Sequence, residues 1–157
     1  CNEGFKYILS GMNAERILIA AECIGDSNWF IQKAVDYAKD RKVFNKRIGE
    51  NQGVQFPISR CYADTEAAKL AVYNAAARYD SGKACGTEAN IAKLLAADAS
   101  WNSANVCLQT HGGFGFAKEY HIERKFRETR LYQLAPISTN FILSHIAEHK
   151  LGLPRSF

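Results

Sequence analysis

A glutamate in the first part of the chain is the first candidate for acid–base chemistry. Glu15 directly precedes a basic residue and an apolar run at residues 17–20. A carboxylate beside apolar side chains loses hydration, which raises its pKa toward the range of a useful general base. The same spacing also suits a surface glutamate at the edge of an amphipathic helix. Glu22 lies two turns further along the same face, so position alone does not single out Glu15.

Two stretches have the residue types of an anion site. Four cations stand within seven residues: Arg41, Lys42, Lys46 and Arg47. They suit phosphate or pyrophosphate, but cations also gather at solvated helix ends, where they complement the helix dipole. The second stretch, residues 111–116, contains three glycines, which let a backbone approach a ligand closely or adopt φ > 0. It follows a predicted helix rather than a strand, so it is not a Rossmann loop, and it also suits a tight turn that ends a helix.

A third pattern is that of a metal site. His145, Glu148 and His149 match H-x-x-E-H, which on a helix could place two imidazoles on one zinc ion. Only eight residues follow His149, so a third ligand would have to come from upstream. A helix end with histidines near the C-terminal dipole is the interpretation we favour, and no metal is expected.

The elements that must position these residues are predicted to be helices. Apolar spacing places them at residues 7–41, 49–79, 88–110, 122–129 and 138–149. Pro57 predicts a late start or a kink in the second helix, and Thr87 is the predicted N-cap of the third. The apolar stripes assigned to the first and third helices are Ile17, Ala20, Ala21 and Ile24, and Ile91, Leu94, Leu95 and Ala99. Three long helices with a shorter closing one predict an all-α, antiparallel four-helix bundle.

Composition restricts the class of protein. The 157 residues suit one domain, and 47% hydrophobic with 23% charged residues is ordinary for a globular protein. The net charge of +4 is mild, and no Lys/Arg block resembles a nucleic-acid-binding tail. Neither a membrane span nor a secretory signal is visible. Five widely spaced cysteines, Cys1 among them, favour a reducing compartment over a disulfide framework.

Three separated runs together resemble the C-terminal domain of the acyl-CoA dehydrogenase family. Residues 41–46, RKVFNK, followed by Gln52, are similar to the family run R-K-x-F-G-K and its glutamine. Residues 109–116, QTHGGFGF, are similar to Q-x-x-G-G-x-G-[FY]. Residues 127–134, RETRLYQL, are similar to R-D-A-[KR]-[IL]-Y-[QE]-I. Each run alone is weak, but their order and mutual spacing make the joint match specific over nearly the whole chain.

The resemblance implies that residues 1–157 are one C-terminal helical domain of a longer enzyme. An N-terminal helical domain and a middle β-domain would complete it, and the chain alone would be inactive. It further implies a homotetramer, or a dimer, with FAD at a subunit interface. Arg41, Phe44 and Gln52 would meet the adenosine-pyrophosphate part of FAD from one subunit, and Gln109, Gly112 and Gly113 from another.

The implied reaction is α,β-dehydrogenation of an acyl-CoA thioester, in which a carboxylate removes the α-proton and the flavin takes the β-hydrogen as hydride. Most members place this base directly after the Y-Q-I run, where the chain has Pro136, which cannot accept a proton. Members similar to isovaleryl-CoA and long-chain dehydrogenases carry it on the first helix in an E-R pair, which Glu15 and Arg16 match. Glu15 is therefore the predicted base, with Asn13 and Arg16 orienting the site.

Two residues beyond the proline align with family positions that touch FAD, Ser138 with a threonine and Asn140 with a glutamine. The replacement at residues 135–137 leaves open whether the local geometry of FAD and substrate is kept. Electron-transfer flavoprotein is the implied acceptor. An acyl-CoA oxidase-like flavoenzyme and a non-catalytic helical oligomerisation module remain the alternatives. The location would be the mitochondrial matrix in a eukaryote and the cytoplasm in a bacterium.

Overall fold

A computed structural model describes residues 3–156 of the chain, and nearly all of its regular structure is helical. Five α-helices follow one another: α1 (Gly4–Asp40), α2 (Gln52–Asp80), α3 (Gly86–His111), α4 (Ile122–Arg130) and α5 (Thr139–His149). Short 3₁₀ turns lie at Ile48–Glu50, Gly112–Phe116, Lys118–Tyr120 and Leu131–Gln133. The predicted all-α bundle is confirmed, and the two predicted short helices, α4 and α5, both pack against α3. Within residues 3–156, no helix combines the length and apolar character needed to cross a membrane.

The core lies where α1, α2 and α3 meet, and it is built largely from small side chains. Ala20 on α1, Ala68 and Ala75 on α2, and Ala92 and Ala96 on α3 are almost completely inaccessible to solvent. Alanine favours helix and lets two backbones approach closely. The three long helices therefore form a tight frame, against which α4 and α5 pack through α3.

The predicted stripe of α3 is wrong in most of its members. Ile91 and Leu95 are exposed and Leu94 is half-buried, and only Ala99 of that set belongs to the core. Since α3 packs against both α1 and α2, it buries a broad surface made mainly of alanines and other small side chains, while the large side chains Ile91 and Leu95 face outward. On α1 the prediction is better: Ile17, Ala20 and Ile24 are buried, but Ala21 is exposed.

The basic connection after α1 is a small hairpin, which the sequence did not predict. Strands β1 (Lys42–Val43) and β2 (Lys46–Arg47) pair antiparallel, with Lys42 opposite Arg47. The two turn residues, Phe44 at φ 50° and Asn45 at φ 62°, have the left-handed conformation of a type I′ turn. Asn45 stands where the family run has glycine, and asparagine tolerates this conformation better than most residues.

Helix ends agree in part with the predictions. The second helix does not start late at Pro57: α2 begins at Gln52 after a 3₁₀ turn and contains Pro57 in its second turn. Thr87 as an N-cap is wrong: α3 begins at Gly86, its cap position is Cys85, and no side chain caps it. Ser138 does cap α5, since its Oγ accepts a hydrogen bond from the N–H of Phe141 at 3.4 Å.

An ion pair fastens α4 to α1. Lys125 Nζ donates to Asp26 Oδ1 at 2.6 Å, and the two side chains are only 18% and 11% exposed. Lys125 also approaches Glu128, and both carboxylates raise its pKa against the opposing effect of burial. The other carboxylate oxygen of Asp26 is buried and has no hydrogen-bond partner among residues 3–156, so Asp26 depends on Lys125 for compensation of its charge.

We expect Lys125→Met to lower the free energy of unfolding by about 2–4 kcal/mol, because it leaves the carboxylate of Asp26 buried and unpaired. Chemical denaturation of both proteins measures the difference. Lys42→Met, a change of the same type at an exposed residue of β1, should alter stability by less than about 0.5 kcal/mol. Equal effects of the two substitutions would contradict a stabilising role for the ion pair.

Candidate functional site

The ends of α1 and α3 meet around a surface depression of about 460 Å³. Arg41, the residue that follows α1, lines it together with Gln109 at the end of α3 and with Gly112 and Gly113. These residues come from two of the sequence runs, which lie about seventy positions apart. One chain can therefore present all four to one ligand. Their division between two subunits, which the resemblance implies, stays a prediction, because the structure describes one chain.

The guanidinium of Arg41 contacts an aromatic ring and no hydrogen-bond acceptor among the described residues. It lies 5.5 Å from the ring centroid of Phe114, over the aromatic face, and the residue is exposed. Within the described residues no carboxylate or carbonyl accepts a hydrogen bond from it. Its N–H donors remain available to an anion, and the planar fork of arginine suits phosphate oxygens.

The two glycines of the depression are needed for different reasons. Gly112 has φ +57° and ψ −133°, a backbone conformation that L side chains rarely adopt. Gly113 has no such φ, and a Cβ built on it meets nothing within 4 Å. Neither conformation nor internal packing therefore explains a glycine at 113. The absence of a side chain there leaves the backbone accessible from outside, as a bound phosphate would require.

Phe44 lies next to this depression, whereas Gln52 does not reach it. The ring of Phe44 is 97% exposed at the tip of the hairpin and lines a second cavity of about 920 Å³, which Gln109 also lines. Gln52 is the exposed first residue of α2 and lines neither cavity; its neighbours Asn51 and Gly53 line the second. Among the described residues, Arg41, Phe44 and the Gln109–Gly113 run are thus brought together, and Gln52 stays at the margin.

A buried histidine supports the depression, and sequence reasoning did not assign it this role. His111 stacks on Tyr37 of α1 with ring centroids 4.2 Å apart. Its Nδ1–H donates to the carbonyl of Cys107 at 2.8 Å. Tyr37 and His111 line the depression as well, so their contact fixes the end of α1 against the end of α3. The run HGGFGF contains this histidine, but nothing in its pattern shows that the ring is buried.

Burial gives two histidines a pH-dependent effect on stability. It lowers the pKa of His111 below the ordinary value of 6.5, and that of His145, whose neighbours His149 and Arg16 lower it further. The unfolded chain therefore takes up protons at a higher pH than the folded protein. The contribution of the two neutral histidines to the free energy of unfolding should be fully present above about pH 6.5. It should be lost as the pH decreases from there toward their lower pKa values in the folded protein.

Urea denaturation at pH 7.5 and pH 5.5 measures this decrease. His111→Phe, which keeps an aromatic ring against Tyr37, should reduce the decrease, while the part due to His145 remains. His121→Asn is the matched control, since His121 is exposed and its left-handed backbone suits asparagine. If His111→Phe leaves the decrease unchanged, the buried imidazole is not its source.

The largest of these cavities, at about 1210 Å³, lies between the start of α1, the start of α3, α5 and the segment before α5. Asn13 and Arg16 line it, with Asn90 of α3 opposite. Arg16 is only 6% exposed and donates from a terminal nitrogen to the side-chain oxygen of Asn13, while its Nε has no partner in the described chain. Burial lowers the pKa of Arg16, but arginine stays charged at any physiological pH. The pair therefore presents a fixed cation to the cavity.

Glu15 is adjacent to this cavity in sequence but is not part of its wall. Its side chain is exposed on α1, so these residues do not provide the desolvation that the sequence suggested. Pro136, where most family members have the base, does line the cavity. Any apolar enclosure of Glu15 must therefore come from groups other than residues 3–156.

Ser138 and Asn140 lie together at the start of α5. With Arg130, Gln133, Leu134 and Thr139 they line a small depression of about 290 Å³. This depression and the one lined by Arg41 have no lining residue in common. Because Ser138 Oγ already caps α5, it contributes to helix initiation as well as to any ligand contact.

The paired histidines of α5 are close to each other, with ring centroids 4.6 Å apart for His145 and His149. Across residues 3–156, no three His, Cys, Asp or Glu side chains are arranged to hold a metal ion. Both histidines and Glu148 line the largest cavity, where they add polar groups to its wall.

Comparison with known proteins gives a consistent result. Residues 2–151 match the family model described as acyl-CoA dehydrogenase, C-terminal domain. The chain is 40% identical over 153 residues to acyl-CoA dehydrogenase fadE12 of Mycobacterium bovis, covering 96% of this chain and 39% of that protein. It is 40% identical over 130 residues to a 3-(aryl)acrylate reductase of Clostridium sporogenes, covering 83% of this chain and 34% of that protein. A glutaryl-coenzyme A dehydrogenase in complex with glutaryl-CoA superposes with TM-score 0.90 at 28% identity, covering 98% and 39%. The chain thus spans about two fifths of the length of such relatives.

Proposed function

Because the chain belongs to the acyl-CoA dehydrogenase family, as its C-terminal domain, we propose that it forms part of an FAD-dependent acyl-CoA dehydrogenase. The longer enzyme would oxidise an acyl-CoA thioester between its α and β carbons. Its N-terminal helical and middle β-domains would lie outside residues 1–157. Since these domains would supply much of the flavin and acyl pockets, the 157-residue chain alone should show no turnover.

The observation that supports this proposal most strongly is the depression shared by Arg41, Gln109, Gly112 and Gly113. A pyrophosphate suits a cationic fork beside a backbone that it can approach closely. Arg41 would supply the fork, and Gly113, which has no side chain, would allow the close approach. The exposed ring of Phe44 in the adjoining cavity suits the face of an adenine. We therefore assign the ADP portion of FAD to these residues, with Gln52 at the margin.

The substrate side of the proposal rests on Glu15, Asn13 and Arg16. Glu15 would remove the α-proton as a carboxylate base once the other domains enclose it. The buried charge of Arg16, held by Asn13, would orient the acyl-CoA through its polar groups. FAD, when bound, would accept the β-hydrogen as hydride. Ser138 and Asn140 would meet FAD from the start of α5.

Reduction of an α,β-unsaturated acid or of its CoA thioester is a second candidate function, because one 40% identical relative is named a 3-(aryl)acrylate reductase. Reduction is the reverse of the same reaction, so the same residues would serve, with Glu15 delivering a proton to the α carbon. An oxidase that passes electrons to oxygen would also use the same base. What separates these activities is the electron partner: electron-transfer flavoprotein for the dehydrogenase, oxygen for the oxidase.

Assembly and location belong to the same proposal. Exposed large side chains on α2, including Leu70 at 71% and Tyr73 at 62%, form a surface suited to burial in a homotetramer or dimer. The enzyme would work in the mitochondrial matrix of a eukaryote or in the cytoplasm of a bacterium.

The test uses the full-length protein that contains this chain. We expect it to retain FAD through gel filtration, with a flavin absorption spectrum, and to bleach that spectrum when an acyl-CoA is added anaerobically. Turnover with electron-transfer flavoprotein but without peroxide would identify a dehydrogenase, and peroxide formation an oxidase. If no acyl-CoA bleaches the flavin but an enoyl-CoA reoxidises the reduced flavin, the reductase is favoured. A protein without bound flavin would overturn the proposal.

A further inference from the structure

Lys93, in the middle of α3, is fully buried, which is rare for a lysine. Its relative exposure is 0%, and lysine is almost never enclosed completely unless its charge has a partner. The partner here is a main-chain carbonyl: Nζ donates to the oxygen of Ile137 at 2.8 Å, across 44 positions of sequence. This contact joins the central helix of the bundle to the segment that precedes α5.

No carboxylate forms an ion pair with Lys93 among the described residues. Asp98, one of the nearby groups that act on it electrostatically, instead accepts a hydrogen bond from Gln133 Nε2 at 2.8 Å. Burial lowers the pKa of Lys93. A buried ammonium that lacks a carboxylate relies on its carbonyl acceptor, because losing that contact would leave the charge uncompensated. The Ile137 carbonyl is therefore held firmly.

The hydrogen bonds of Lys93 and Asp98 hold the two ends of one segment against α3. Gln133 is held to α3 through Asp98, and Ile137 is held to α3 through Lys93. The segment between these two hydrogen bonds lines the largest cavity through Leu134, Pro136 and Ile137. Asn13 and Arg16 line the same cavity from α1. Pro136 cannot take a proton, so the segment contributes the shape of the cavity wall.

We propose that Lys93 is the positioning residue that holds residues 134–137 as the wall of the acyl-CoA cavity, through its hydrogen bond to the Ile137 carbonyl. The expected effect on KM rests on the proposed function, whereas the positioning of residues 134–137 does not. Lys93 acts on the wall and not on Glu15 of α1, so it should affect substrate binding and leave the chemical step nearly unchanged.

The first experiment is Lys93→Met in the full-length protein, which keeps the length of the side chain and removes its donors. We expect the KM for the preferred acyl-CoA to rise about tenfold, as for one lost hydrogen bond to a charged group, with kcat changed by less than about threefold. Gln133→Met, which removes the second anchor, should shift KM in the same direction. Lys125→Met is the control, since it removes the hydrogen bonds of another, partly buried lysine, which joins α4 to α1, and should lower stability with KM unchanged.

The second experiment is amide hydrogen exchange, which needs no activity. The amides of residues 134, 135, 137 and 138 should exchange faster in Lys93→Met than in the original protein, and those of the α1 and α2 core should not. Unchanged exchange in this segment, or a fall in kcat with KM unchanged, would overturn the proposal. If Lys93→Met does not fold, Gln133→Met must still raise KM and accelerate exchange, or the proposal fails. A protein without acyl-CoA turnover would refute the proposed function, while hydrogen exchange would still decide the role of Lys93.

Discussion

Glu15→Gln in the full-length protein should lower acyl-CoA turnover by roughly 10²–10⁴-fold, the usual contribution of a general base. Glutamine keeps the size and hydrogen-bonding capacity of the side chain but cannot take up the α-proton. The alternative position is closed, since Pro136 stands there, and within residues 3–156 no carboxylate replaces it on that segment. FAD should remain bound, because Glu15 lies on neither depression assigned to the cofactor.

The matched control is Glu22→Gln. Glu22 lies two turns further along α1 and is exposed like Glu15, so the two substitutions change charge and helix propensity equally. We expect Glu22→Gln to keep turnover within about threefold, because surface changes away from a site have small effects. Turnover is measured with the best acyl-CoA and a saturating electron acceptor. Near-normal turnover of Glu15→Gln would show that Glu15 is not the base.

Exchange of the substrate α-hydrogen in D₂O separates a base from a residue that only orients the substrate. The original protein should exchange this hydrogen with a non-oxidisable acyl-CoA analogue, and Glu15→Gln should not. Arg16→Lys, which keeps the charge but loses the planar fork, should still exchange it, with weaker binding of the analogue. Loss of exchange in both variants would instead mean that Glu15 and Arg16 act together in positioning.

The sequence predicted the helices well and their buried faces less well. Apolar spacing located all five helices to within a few residues, because helix periodicity is a local property. Which helix lies at the centre of the bundle is not local. The sequence therefore assigned Ile91 and Leu95 to the core, whereas α3 buries alanines and Lys93 instead. A lysine in an apolar pattern looks like a break in the stripe, and its acceptor, the Ile137 carbonyl, carries no signal in the residue types.

The candidate cofactor site was largely visible in the sequence, but its arrangement was not. Arg41 and the Gln109–Gly113 run were recognised as two separate motifs. The two motifs line one depression because α1 packs against α3. The contact between Tyr37 and His111 reinforces this packing. The environment of Glu15 shows the opposite limit. The pairing of Glu15 with Arg16 is visible in the local sequence. The desolvation of Glu15, however, requires enclosing groups beyond residues 3–156, so neither the sequence nor these helices show what encloses Glu15.

Arg41→Gln should weaken FAD binding by roughly 10–100-fold, the loss expected when hydrogen bonds between a cation and phosphate oxygens are removed. Arg47→Gln removes the same charge from the hairpin that follows Arg41, and Arg47 lines neither the depression of Arg41 nor the cavity of Phe44. A general loss of positive potential would affect both variants equally. A specific contact would affect only Arg41→Gln. Titration of flavin-stripped protein with FAD, followed by flavin fluorescence, measures the two dissociation constants.

Gly113→Leu tests the same site without changing charge. A Cβ at 113 meets no atom within 4 Å and needs no unusual φ, so the flavin-free protein should unfold at nearly the same denaturant concentration as the original. FAD should bind roughly 10–100-fold more weakly, because the leucine occupies the space through which phosphate reaches the backbone N–H groups. Gly112→Leu should instead destabilise the flavin-free protein, since φ +57° is unfavourable for leucine. If Gly113→Leu binds FAD normally, the depression beside Arg41 does not hold the pyrophosphate, whatever the result at Arg41.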